Sequence, residues 1–119
     1  MKFSTEEITL CKEIAKYYRK PIGFGDWFYD EEIEHIGIHV YTMILEEDVS
    51  GKIPLWTWQD ARDWLRKEGY ELTRFFSYVN KVGISFYKKG VQLSSLCGEG
   101  KTDLEAILKV ILEILKEIK

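Results

Sequence analysis

Cysteine, histidine and proline are all scarce in this chain, and the shortage of each one removes classes of protein. The 119 residues include two cysteines, two histidines and two prolines. Cys11 and Cys97 are too few for a disulfide framework and too far apart in sequence for a zinc knuckle. Cys11 falls on the apolar side of a predicted helix, where a buried small hydrophobic side chain is the simplest interpretation. The chain therefore has to fold on a hydrophobic core.

Long apolar runs and an excess of positive charge are also missing. No stretch is long and apolar enough to span a bilayer, and the polar start of the chain lacks the apolar run of a signal peptide. These absences predict a cytoplasmic protein without a membrane partner. The formal net charge of −3 disfavours nucleic acid as a partner, because affinity for phosphates depends on clustered Lys and Arg.

Aromatic residues, by contrast, are abundant, with four Trp, seven Tyr and six Phe. Each carries a large apolar area, so these residues should dominate the core. The length is typical of one domain, and nothing in the sequence suggests a linker or an internal repeat. We therefore predict a single domain over residues 1–119 that folds without a metal or another cofactor.

Three helices are predicted from their start and stop signals. Ser4 and Glu7 have the spacing of a capping box, and Pro21 disfavours continuation of that first helix beyond Lys20. Thr57 should cap a second helix that ends at Gly69. The third helix opens with another capping box, Thr102 with Glu105, and continues to the C-terminus.

The strands are less clearly marked. Residues 26–29, which are rich in aromatics, predict a short strand, and residues 33–45 fit both helical spacing and strand alternation, of which we favour the strand. Residues 49–54 are predicted to form a loop. Three more strands are predicted at 72–79, 84–87 and 91–93, with turns at 80–83 and 88–90. The predicted fold is α+β, with a mainly antiparallel sheet of about five short strands, three helices, and the C-terminal helix packed on the sheet.

Residues 95–102 imitate a phosphate-binding loop, but the match fails at two points. Ser95 stands where the motif has its first glycine, and only one helix follows, which leaves no residues for the further strands of a nucleotide-binding domain. The simpler interpretation is a glycine-rich loop that leads into a capped helix. A weaker prediction survives, that Gly100, Lys101 and Thr102 bind an anion at the helix N-terminus.

His35 and His39 are the only histidines, and they share one face of either a helix or a strand. Glu31 would complete a three-ligand set on a helix, so a small metal-dependent enzyme is one hypothesis for the function. On the strand interpretation both imidazoles simply point away from the apolar face. No catalytic motif accompanies them, and the acidic residues of 30–34 are typical of a solvated turn.

A short basic stripe, Arg62, Arg66 and Lys67, lies near Trp58 and Trp64 on the predicted second helix. Aromatic rings beside basic groups are typical of nucleic-acid-binding modules, which is a second hypothesis. Acidic residues interrupt the stripe, however, and the tryptophans are equally explained as core residues. The basic stripe alone does not name a function.

The C-terminal helix is apolar around roughly half of its circumference, which is wider than an exposed amphipathic helix needs. Either the helix is clamped centrally against the sheet, or its outer edge meets a second subunit. The favoured hypothesis is therefore a non-enzymatic accessory or interaction protein that binds a protein partner or itself. No residue is predicted to be catalytic.

The order of elements from Ile53 onwards also supports a resemblance. An Ile-Pro-Leu step, a helix ending at Gly69-Tyr70, an antiparallel strand set and a terminal helix opening Thr-Asp-Leu-Glu-Ala follow one another. This half of the chain resembles small phage or prophage proteins of unknown function, in particular the phage ABA sandwich domain. The resemblance implies a sheet covered by helices on both faces and an origin in a mobile element, and it implies no activity.

Overall fold

The computed structural model describes residues 3–23, 25–38, 52–88 and 95–118. The fold is α+β, as predicted, with three helices and six described strands that form two three-stranded antiparallel sheets. In chain order the elements are α1 (Thr5–Ala15), β1 (Trp27–Asp30), β2 (His35–Ile38), β3 (Lys52–Pro54), α2 (Trp58–Lys67), β4 (Tyr70–Tyr78), β5 (Lys81–Lys88), β6 (Ser95–Gly100) and α3 (Asp103–Ile118).

The chain divides into two compact units, Met1–Trp56 and Thr57–Lys119. The first unit contains α1 and the sheet of order β2-β1-β3, and the second contains α2, α3 and the sheet of order β4-β5-β6. This division leaves the single domain over residues 1–119 a prediction. Among the described residues, no helix combines the length and the apolar character that crossing a membrane requires.

Helix α1 begins where its capping box predicts. The Ser4 hydroxyl accepts a hydrogen bond from the Glu7 amide at 3.1 Å, and the Glu7 carboxylate accepts one from the Ser4 amide at 2.7 Å. Each bond satisfies a backbone amide that has no partner within the helix. Cys11 and Ile14 are fully buried, which agrees with a structural role for Cys11.

In the first sheet, β1 is central and pairs antiparallel with β2 on one side and β3 on the other. The strand interpretation is confirmed for His35–Ile38, whereas residues 39–45 lie outside the described part of the chain. The loop predicted over 49–54 is wrong at Lys52–Pro54, which form the edge strand β3. Pro54 suggested a loop, but a proline is tolerated in an edge strand because a missing donor there breaks no ladder.

Helix α2 is capped by Thr57, whose hydroxyl accepts a hydrogen bond from the Asp60 amide at 3.1 Å. It ends at Gly69, which has a φ of 91°, the left-handed conformation that glycine adopts without steric cost. Strands β4 and β5 then form a hairpin with Tyr78 opposite Lys81. The turn predicted over 80–83 is therefore shifted, because it consists of Val79 and Asn80. Asn80 has a φ of 62°, which asparagine tolerates well.

The third strand of the second sheet corrects one prediction. Residues 95–100 form β6, paired with β5 from Ser95 opposite Tyr87 to Gly100 opposite Val82, and not a glycine-rich loop. The strand predicted at 91–93 lies outside the described residues. Glycines weaken a strand in isolation, but here they let a helix approach, because a Cβ at Gly98 would overlap the Ala106 carbonyl oxygen of α3.

Helix α3 packs on β5 and β6 and also contacts α2. Its apolar residues are buried almost all round: Leu104, Ala106, Ile107, Leu108, Val110, Ile111, Leu112, Ile114 and Leu115. Lys109, Glu113 and Lys116 form the exposed stripe. The structure therefore confirms the prediction that the C-terminal helix packs on a sheet.

Candidate functional site

The second sheet has one covered face and one open face. Ile84 of β5 and Gly98 of β6 lie opposite each other on the face that α3 covers, and Phe75, opposite Ile84, contacts Trp58 of α2 on the same face. The alternate residues form what we call the open face: Arg74, Phe76, Tyr78, Lys81, Gly83, Ser85, Tyr87, Cys97 and Glu99. Both α2 and α3 therefore contact the same side of this sheet.

Phe76 lies across Gly83, its direct partner on β5. The ring comes so close to the Gly83 backbone that an added Cβ would overlap it. Tyr78 packs beside this ring, with the centroids 5.3 Å apart and the ring planes tilted by 59°. Tyr78 remains 66% exposed. The open face thus presents two adjacent aromatic rings, of which Tyr78 is the more exposed.

The polar groups of the open face interact mainly with one another. The Lys81 ammonium and the Glu99 carboxylate form an ion pair at 3.0 Å, and both side chains are more than half exposed. The Ser85 hydroxyl lies 3.2 Å from the Cys97 sulfur. Arg74 is exposed and forms no ion pair, hydrogen bond or ring contact with the described residues. Among the described residues of this face it is the free cation.

The outer edge of β4 differs between its two halves. The first half carries Glu71 and a register irregularity between Leu72 and Arg74, features that natural edge strands use to prevent pairing. The second half, residues 75–79, which we call the edge segment, carries no charge. Phe75 is 48% exposed and Val79 is 90% exposed. Among the described strands none pairs with this edge.

The predicted anion-binding residues stand at the start of α3, where the chain's own side chains already bind the backbone amides. The Thr102 hydroxyl accepts from the Glu105 amide at 3.0 Å, and the Glu105 carboxylate accepts from the Lys101 amide at 3.2 Å. Glu105 also contacts Gly100 closely enough to exclude a Cβ there. A negative charge thus already occupies this helix end. Anion binding by Gly100, Lys101 and Thr102 stays a prediction.

Two residues of the predicted basic stripe come together. Arg62 and Arg66 line a depression of about 420 Å³ with Tyr70, Glu71 and Leu72, whereas Lys67 is exposed and is not part of its wall. The charges there are mixed. Partial burial, followed by the nearby charges of Glu117 and Glu68, raises the pKa of Tyr70 above its usual value of 10.0.

Trp58, which is half-buried, contacts Phe75 and carries Arg62 6.0 Å from its ring centroid. Its indole is thus partly engaged by contacts within the unit. A nucleic-acid-binding role stays a prediction.

The structure describes two of the three residues of the predicted histidine site, His35 and Glu31. His35 is exposed at the start of β2, opposite Asp30, and Glu31 lies in the exposed turn between β1 and β2. His39 lies outside the described residues. Within the part of the chain that the structure describes, no three His, Cys, Asp or Glu side chains are placed to hold a metal ion. A metal-dependent enzyme based on His35 and His39 stays a prediction.

The first unit has its own depression, of about 380 Å³, between the end of α1 and the sheet. Lys12, Lys16 and Arg19 supply positive charge, but most of it is used within the unit. Lys16 pairs with Glu13 at 2.9 Å, the Lys12 ammonium lies 4.6 Å from the Tyr29 ring centroid, and Arg19 donates to the Lys52 carbonyl. These interactions explain the charges as part of the scaffold.

Comparisons with known proteins add no relative to this geometry. No family model matches the chain, and no match was found among curated proteins or solved structures. The resemblance to the phage ABA sandwich domain therefore stays a prediction, and the candidate site rests on its own chemistry.

Sequence reasoning missed the edge segment and the open face. The sequence predicts a strand over residues 75–79, but a strand lies at the edge of a sheet only if no other strand pairs with one of its sides. That pairing cannot be read from the sequence of the strand itself. One signal was present: a run of Phe, Phe, Ser, Tyr and Val without a charge is unusual for a strand end next to solvent.

Proposed function

We propose that this chain is a non-enzymatic interaction protein that binds an extended segment of a protein partner along the outer edge of β4. The observation that carries the proposal is the edge segment, which is uncharged, exposed and not paired with any described strand. In this mode of recognition, main-chain hydrogen bonds supply affinity and alternate side-chain positions supply specificity.

The surface assigned to the partner differs from the C-terminal helix that the apolar pattern suggested. The apolar residues of α3 are buried within the chain, with Ile107, Leu108 and Ile111 completely covered. A partner would have to displace that packing, at a cost of several kcal/mol for each large side chain exposed. The edge of β4 needs no such displacement.

The open face adjoins the edge and supplies side-chain contacts. Residues of an added strand would alternate between the covered and the open faces of the sheet, so that every second one lies beside Arg74, Phe76 or Tyr78. Aromatic residues and arginine are the residue types that contribute most to protein interfaces. The partner segment should therefore combine strand-forming residues with side chains that suit aromatic rings.

A peptide selection tests this proposal. Isotope-labelled protein would be exposed to a displayed library of random short peptides, and the selected peptides would be mapped by amide chemical-shift changes. We expect changes concentrated at residues 75–79. The variant Ser77→Lys should abolish them, because a lysine on an edge strand is a natural barrier to pairing.

Gln59→Lys is the matched control, since it adds the same charge at an exposed position of α2. It should bind the selected peptides as the parent chain does. Selection of no peptide, or peptides that bind Ser77→Lys as well as the parent chain, would contradict the proposal.

A further inference from the structure

In both sheets a phenylalanine ring lies across a glycine of the neighbouring strand, but among the described residues only the first sheet also places a cation over the ring. In the first sheet, Phe28 lies across its partner Gly37, whose added Cβ would come within 2.8 Å of the ring. In the second sheet, Phe76 lies across its partner Gly83 in the same way. Both pairs are antiparallel and directly opposite, so the two rings have equivalent positions relative to the strand that carries the glycine.

The difference lies on the far side of each phenylalanine. Strand β3 flanks β1 there, with Pro54 opposite Phe28 and Lys52 opposite Asp30. Lys52 is thus two residues before the direct partner, on the diagonal, and its ammonium lies 4.8 Å from the Phe28 ring centroid. The corresponding position beside Phe76 belongs to no described strand, and no described cation lies over that ring.

The missing strand can be specified from this comparison. It should run antiparallel to β4 and carry a cation two residues before the residue opposite Phe76, because diagonal neighbours in an antiparallel pair are within reach of long side chains. A second copy of β4 meets this requirement. When Phe76 of the two copies face each other, Arg74 of one copy lies opposite Tyr78 of the other, on the diagonal to Phe76.

We infer that the occupant of the β4 edge is a second copy of this chain, paired antiparallel about Phe76, with Arg74 of each copy over the Phe76 ring of the other. The inference rests on the proposed function, because it names the partner of the same edge. In this register Phe75 lies opposite Ser77, and the paired residues 74–78 contain no charge except Arg74. No two like charges therefore face each other, and each guanidinium meets an aromatic ring.

The structure of β4 at both ends of the paired segment also restricts the register in which two copies can pair. The irregularity between Leu72 and Arg74 interrupts the strand just beyond the paired segment, and at the other end Tyr78 is followed at once by the turn of Val79 and Asn80. Registers shifted toward the first half of β4 would carry the pairing across this irregularity, where the pairing pattern of the strand is locally disrupted. Pairing centred on Phe76 joins the regular halves of the two strands.

Sedimentation velocity over a concentration series tests the inference, with a reducing agent present so that the exposed Cys97 does not link copies. The parent chain should dimerise reversibly. Arg74→Glu should weaken the dimer roughly tenfold or more, because two symmetry-related cation–ring contacts are lost together and carboxylates replace them. Arg74→Lys should retain most of the affinity, as Lys52 does the same work in the first sheet.

Lys67→Glu provides the matched control, because it makes the same charge reversal at an exposed position of α2. It should leave the dimer unchanged. In a mixture of labelled and unlabelled chains, an isotope-filtered NOE should connect Arg74 of one copy to the Phe76 ring of the other, which a purely electrostatic effect of Arg74 would not produce.

Two results would overturn the inference. One is a dimer that Arg74→Glu leaves intact, since that dimer would use another surface. The other is a parent chain that stays monomeric at every concentration. If the monomeric chain still bound selected peptides at residues 75–79, self-pairing would be wrong while the proposed strand-binding function would stand. Without peptide binding, both would fall.

Discussion

The two sheets place a phenylalanine across a glycine in the same manner, but they surround it differently. Phe28 is on the central strand of its sheet and has Lys52 over its ring, so its arrangement is complete within one chain. Phe76 is on an edge strand of the described second sheet, with Tyr78 beside its ring. The comparison teaches that a phenylalanine lying across a glycine is part of the folded framework where a third strand flanks the phenylalanine. The same pair forms a candidate binding surface where no described strand flanks it.

The same contrast exists between the two faces of the second sheet. Gly98 lies under the backbone of α3 on the covered face, whereas Gly83 lies under a side-chain ring on the open face. A backbone carbonyl inside a packed helix has nowhere to move, but a ring at the surface can rotate away. The open face should therefore tolerate an added methyl group better than the covered face does. Substitutions of Gly83 and Gly98 measure the difference.

The largest effect is expected for Gly98→Ala. The new methyl group would overlap the Ala106 carbonyl and force α3 away from β6, so the free energy of unfolding should fall by about 3 kcal/mol. Gly83→Ala is the comparison, and it should cost only about 1 kcal/mol because Phe76 can swing outward. Urea denaturation of the two variants gives both values. Equal losses would mean that the open face is as tightly packed as the covered one.

A smaller effect is expected when the cation–ring contact between Lys52 and Phe28 in the first sheet is removed. Lys52→Met keeps the apolar stem and removes the charge from the Phe28 ring, and it should lower the free energy of unfolding by about 0.5–1 kcal/mol. A double-mutant cycle with Phe28→Leu isolates this contact from the other interactions of Lys52. A coupling energy near zero would remove the internal precedent for a cation over Phe76.

The smallest effect concerns Tyr70, at the protected start of the β4 edge. Its pKa is raised by burial and by Glu117 and Glu68, so the folded state holds the phenol proton more tightly than the unfolded state. Stability from this source is fully present below pH 10 and is lost as the pH rises through the folded-state pKa.

Tyr70→Phe removes the titrating group and should therefore reduce the loss of stability above pH 10. Thermal or chemical denaturation at several alkaline pH values would measure it as the difference between the two chains, because the other tyrosines and lysines titrate in both. Parallel pH profiles would show that the phenol is not perturbed by its surroundings.

Much of the fold could be predicted because its signals are local. All three helix starts were read from a hydroxyl residue and an acidic residue three positions later, and the left-handed Gly69 from its place after a helical pattern. Burial of the wide apolar face of α3 against a sheet was one of two alternatives that its width allowed. These features involve residues within a few positions of one another, where propensity and capping act.

The errors share a different physical origin. Lys52–Pro54 and Ser95–Gly100 carry proline and glycine, so each resembles a loop, and each becomes a strand because another strand pairs with it. The candidate site depends on the same kind of information. Residues 75–79 look like any strand in sequence, and only the strand order β4-β5-β6 makes them an edge.

The sequence by itself determined the class of fold and the starts of the helices, since these follow from composition and from contacts within a few residues. Only the tertiary structure decided that the described strands form two sheets, that α3 is covered, and that Arg74 and Phe76 stand beside an edge with which no described strand pairs. The physical reason is that strand pairing joins residues far apart in the chain. No local pattern specifies which hydrogen-bonding edge stays open.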